Sequence, residues 1–196
     1  MSDIAILREM IQQKAIVTLE DYKDKKKAIL EEKEATPSAN KKISKKANYA
    51  VDVLGLPDED DVIVIKVDNF KSPSNIFNGT KGECKRADFV IVADIKPRKI
   101  IIFIELKAGN PDTKEIVEQF KGAECFIQYC QAIGRSFWNE SGFLHGYESR
   151  FVAIIEICNS IQKRPTYDRQ SKGNHNSPDR MKKIPYHKSI YFKEFI

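Results

Sequence analysis

Two neighbouring runs limit the fold of this chain more than any other feature. Ala87 to Asp94 and Lys99 to Lys107 are dense in Val and Ile, and only Ile95-Lys96-Pro97-Arg98 lies between them. β-Branched side chains at successive positions suit strands, and the short link makes the two strands antiparallel neighbours. Their nearly unbroken apolarity suits strands covered on both faces. A chain built around such a pair needs a packed layer above it and another below.

The flanking segments supply candidates for those layers. Ile4, Leu7 and Ile11 recur at helical spacing behind Ser2. Thr18, Leu19, Tyr22, Ile29 and Leu30 suggest a second helix, so residues 1–36 read as a helical extension with a charged, solvated surface. A further helix is expected over about 41–54, where Ile43, Ala47, Ala50, Val51 and Leu54 share a face, with Gly55 and Pro57 ending it. Asp61 to Val67 reads as a strand and 68–86 as a long polar loop. After the central pair, Asn110 can cap a helix that opens on Pro111, carries the stripe Ile116, Phe120, Ala123, Ile127 and Cys130, and stops at Gly134. Arg150 to Cys158 is another strand, and Ile190-Tyr191-Phe192 a short closing one. The order is helix, three strands, helix, strand: an α/β domain with a mixed sheet flanked by helices and a core over 41–158.

Composition narrows the class. The chain has 196 residues, 41% hydrophobic and 31% charged, which suits a single globular domain and excludes a disordered chain. The apolar run Ile100 to Ile104 is far too short for a membrane span. Met-Ser-Asp-Ile shows no basic flank before an apolar stretch, and the four cysteines form no Cys-x-x-Cys pair, so a cytoplasmic setting without disulfides is expected. The net charge of +5 is unevenly placed. Residues 161–196 hold nine Lys or Arg against three acidic residues, interleaved with tyrosine and proline. That mixture suits a segment following a phosphate backbone.

Chemistry concentrates at one end of the central pair. Glu105 and Lys107, two apart on a strand, project from the same face. With Pro97 second in a tight turn from Lys96 to Lys99, facing residue numbers sum to 195 and Asp88 lies opposite Lys107. A sum of 193 sets Asp88 opposite Glu105. Either odd sum gathers all three on one face, and an even sum sends Asp88 to the other. Two carboxylates about 4 Å apart repel by about 1 kcal/mol in water and about 4 kcal/mol at an effective dielectric of 20. A divalent cation relieves that repulsion, and oxygen ligands favour Mg²⁺ or Mn²⁺.

Asp88, sixteen residues, then Glu105-Leu106-Lys107 resembles the signature of the PD-(D/E)xK nuclease superfamily, whose restriction-endonuclease-like core runs αβββαβ. The likeness covers about two-thirds of the chain, and Ala87 stands where the family name has proline. It implies a Mg²⁺- (or Mn²⁺-) dependent nuclease hydrolysing phosphodiester bonds, with DNA expected over RNA. Asp88, Glu105 and the Leu106 carbonyl would hold the metal, and Lys107 would position or activate the attacking water. Gln119 matches a glutamine found on the following helix in several branches. Lys81, Lys85 and Arg86 beside the site, and Lys163, Arg164, Arg169 and Lys172 in the basic segment, are the expected nucleic-acid contacts. One site per domain implies a homodimer or partner subunit for cutting both strands. The alternatives are a catalytically silent nuclease-fold nucleic-acid-binding module, or subunit of a larger complex, and an interaction protein assembled through the N-terminal region.

Overall fold

The computed structural model describes residues 1–32, 49–70, 73–109, 111–156 and 174–196. A short helix, α1 (Asp3–Met10), opens the chain, and the Ser2 hydroxyl caps it by accepting from the Ala5 N–H at 3.1 Å. Three strands follow: β1 (Leu19–Tyr22), β2 (Lys25–Glu32) and β3 (Tyr49–Leu56). Then come β4 (Val62–Lys66), β5 (Phe89–Ile95), β6 (Arg98–Ala108), the long α2 (Thr113–Phe137), β7 (Glu148–Glu156), β8 (Lys182–Pro185) and β9 (Ser189–Tyr191). Although α2 has 25 residues, no helix among the described residues is long and apolar enough to cross a membrane.

The apolar runs are covered on both faces. A five-stranded sheet runs β4-β5-β6-β7-β8, antiparallel from β4 to β6 and parallel from β6 to β8. One face packs Ile65, Val92, Phe103 and Phe151 against Ile4 and Leu7 of α1 and Ile116, Phe120 and Ala123 of α2. Phe103 stacks on Phe151 at 4.8 Å, and Phe120 meets Phe151 edge-on at 5.4 Å. The other face packs Val64, Ile91, Ile102 and Val152 against a second mixed sheet, β1-β2-β3-β9, through Leu30, Val51 and Val53. Helices, central sheet and outer sheet make three layers.

The outer sheet corrects the N-terminal expectations. Residues 19–32 form a hairpin instead of a helix, with Leu19 opposite Ala28 and Tyr22 opposite Lys25. Ala28 and Leu30 are buried while Ile29 between them is exposed, a period of two. Residues 49–54 belong to β3 instead of ending a helix, and 41–48 lie outside the described residues. Gly55 does not stop a helix: the β2–β3 register shifts beside it, and its φ of +76° is the left-handed conformation a bulge takes. The helical layer over β4 and β5 comes from α1 instead. Downstream, α2 starts later than expected, with the Asp112 carboxylate accepting from Lys114 N–H at 2.9 Å. It also passes through Gly134, whose bare backbone leaves room for the Phe143 ring.

The loop before β5 is pressed onto α2. Lys85 pairs with Glu118 at 2.9 Å, and a Cβ on Gly122 would collide with the Lys85 carbonyl oxygen. Glycine at 122 therefore allows the chain leading into Asp88 to lie against the helix. Gly122→Ala is expected to cost about 2 kcal/mol in urea unfolding, as overpacking does. Gly142→Ala, at a position with open space around it, should change stability by no more than about 0.5 kcal/mol.

Candidate active site

The register of the central hairpin decides which side chains meet. Phe89 pairs with Ile104 and Ile95 with Arg98, a sum of 193, so Asp88 falls opposite Glu105. Lys96-Pro97 forms the two-residue turn, with Pro97 one place later in it than the 195 arrangement needs. Asp88, Glu105 and Lys107 share the sheet face that carries α2.

The two acids are clamped across the hairpin by backbone N–H groups. The Asp88 N–H donates to Glu105 Oε2 at 3.2 Å, and the Leu106 N–H donates to Asp88 Oδ2 at 2.7 Å. Lys107 Nζ lies 2.8 Å from Glu105 Oε1. Glu105 is fully buried and Asp88 is 9% exposed; with Arg150 they are the buried charged residues among those described. Water contributes little to holding these carboxylates, so backbone donors and the Lys107 ammonium carry that role.

The lysine is a cation at neutral pH. Burial pulls its pKa down, but Glu105, then Asp88 and Glu115, outweigh burial and hold it above the ordinary lysine value. Lys107 therefore offers a positive charge and hydrogen-bond donors, with no free base.

Oxygen donors converge here. Leu106 is extended and directs its N–H to Asp88, so its carbonyl faces the same side. Two carboxylates and that carbonyl suit a hard divalent ion such as Mg²⁺ or Mn²⁺. Among the described residues no group of three or more His, Cys, Asp or Glu forms a metal cage, so protein ligands alone would leave much of an octahedral shell to water and substrate.

Helix α2 carries two further polar groups. Gln119 Oε1 is buried and accepts no hydrogen bond among the described residues, an orphaned acceptor on the α2 face that also carries Ile116 and Phe120. Glu115, one turn earlier, adds its charge to the surroundings of Lys107. Glu115 was not anticipated from sequence, and its four-residue offset from Gln119 was the available signal.

The expected basic contacts separate. Lys81 is exposed, Lys85 is paired with Glu118, and the Arg86 guanidinium lies 4.8 Å from the centre of the Phe70 ring. Lys163, Arg164, Arg169 and Lys172 lie outside the described residues.

Lys107→Met, by leaving Glu105 buried without its cation, should lower unfolding free energy by about 3 kcal/mol. The double variant Glu105→Leu/Lys107→Met should recover most of that loss in the same denaturation assay, because no buried charge is then orphaned.

No protein-family model, curated protein or solved structure matches the chain.

Proposed function

We propose that the chain is a divalent-metal-dependent nuclease of the PD-(D/E)xK kind, hydrolysing phosphodiester bonds in DNA. The observation that carries this reading is the facing pair Asp88 and Glu105, with Lys107 Nζ 2.8 Å from the second carboxylate. The element order supports it: α1, then antiparallel β4, β5 and β6, then α2, then β7 parallel to β6. With β1 to β3 left out, and α1 standing in for the helix expected over 41–54, this sequence of elements is in keeping with the αβββαβ order that the resemblance implies.

Asp88, Glu105 and the Leu106 carbonyl would hold Mg²⁺ or Mn²⁺. Such an ion supplies a Lewis acid for the phosphate and a more acidic bound water. The Lys107 ammonium orients the water by hydrogen bonding and stabilises charge gathering on the phosphate oxygens. Burial of the carboxylates keeps bulk water from weakening these interactions. The basic residues of 161–196 would follow the phosphate backbone, and a homodimer or partner subunit would supply a second site for duplex cleavage.

The test is cleavage of linear duplex, circular and single-stranded DNA, with RNA alongside, in Mg²⁺ and in Mn²⁺. Wild type should cut, and Asp88→Asn, Glu105→Gln and Lys107→Ala should each lower the rate by about 10²-fold or more. No cleavage with either metal, or variants as active as wild type, would sink the proposal.

A further inference from the structure

Exposed apolar side chains lie on the loop that leads into Asp88 and on α2. Phe70, Ile76 and Phe77 lie on the loop between β4 and β5, and Tyr129 lies on α2; all four stand in solvent. Single exposed apolar residues need no explanation, whereas a cluster at one place marks a contact surface.

The cluster is built, not accidental. The Phe70 ring packs 5.4 Å from Phe126 and 6.1 Å from Tyr129, tilted by 57° and 45°. Phe126 is 7% exposed and anchors the group, while Phe70 and Tyr129 are 39% and 55% exposed. The Arg86 guanidinium lies 4.8 Å from the Phe70 ring centre, a flat cation against a flat ring. Both supporting segments leave the sheet at the carboxylate end. Arg86 precedes Asp88 by two residues, and the Val67 N–H, three residues before Phe70, donates to the Asp88 carbonyl at 2.9 Å.

We propose that Phe70, Tyr129 and Arg86 form a stacking platform for the bases of an unpaired nucleic-acid strand and pass that strand to Asp88 and Glu105. The inference rests on the nuclease reading and adds the substrate class to it. Aromatic rings and guanidinium planes bind bases by their faces, and only an unpaired strand exposes those faces. The charge fits a phosphate-bearing partner. Arg86 sets a positive charge against the platform itself, while Glu83, whose carboxylate accepts from the Gly79 and Lys81 N–H groups at 2.9 and 2.8 Å, remains an anion on the same loop. A duplex hides its base faces and offers this surface only its backbone.

The test is fluorescence anisotropy in EDTA and low salt, using a labelled 20-residue single-stranded DNA and the blunt duplex of the same sequence. Binding without metal separates this result from cleavage, so either can fail alone. Wild type should bind the single strand at least about tenfold more tightly than the duplex. Phe70→Ala/Tyr129→Ala should weaken single-strand binding by about tenfold or more and leave duplex binding unchanged. Tyr129→Phe, which keeps the ring, should bind like wild type, whereas Tyr129→Leu, which keeps only apolar bulk, should not. Equal affinity for the two forms, no binding of either, or a Leu variant as good as wild type would overturn the inference.

Discussion

The antiparallel register of β5 on β6 is the constraint on which the rest depends. Phe89 opposite Ile104 sets Asp88 opposite Glu105. A slip of one residue would turn Asp88 towards the outer sheet, into a layer made of Leu30, Val51, Val53 and their neighbours. An unpaired carboxylate there would cost several kcal/mol, so the three-layer packing itself selects the register. Site and core are in this sense one structure. The alternation that fills both apolar layers also aims the polar residues at the ends of β5 and β6 towards α2.

The clamp between the acids explains how charge is tolerated at the end of an apolar sheet. Each carboxylate accepts a backbone N–H from the other's strand, at 3.2 and 2.7 Å, and Lys107 adds a full positive charge. The loop before β5 contributes from outside the sheet. Its contact with bare Gly122 holds the approach to Asp88 against α2, and the same approach places Arg86 on Phe70. Acid pair, lysine and aromatic cluster are therefore positioned by one hairpin, one helix and one loop.

The central pair, the α2 stripe and the facing of Asp88 with Glu105 or Lys107 were legible in the sequence because each has a clean period. The outer sheet was not. Residues 25–31 alternate Lys27, Ile29 and Glu31 with Ala28 and Leu30, and the long charged side chains mask which face is buried. The β1–β2 turn, Lys23-Asp24, has no glycine, and Lys23 adopts φ +55° unaided by any residue that signals it. In β3, Ala50, Val51 and Leu54 fit helical spacing as well as Val51 and Val53 fit a strand, and pairing with β2 decided between them. Likewise, Gly122 and Gly134 serve tertiary contacts that local sequence does not announce. The backbone donors at Asp88 and Leu106 belong to no motif, because every residue but proline has one.

The metal-holding role proposed for the acid pair is tested most directly by titrating Mn²⁺ into wild type, Asp88→Asn and Glu105→Gln, with bound ion followed by electron paramagnetic resonance. The expected result is a single bound ion per chain in wild type and at least tenfold weaker uptake in each variant. Absence of bound Mn²⁺ in the folded wild type, or equal uptake in all three proteins, would contradict a metal site at Asp88 and Glu105.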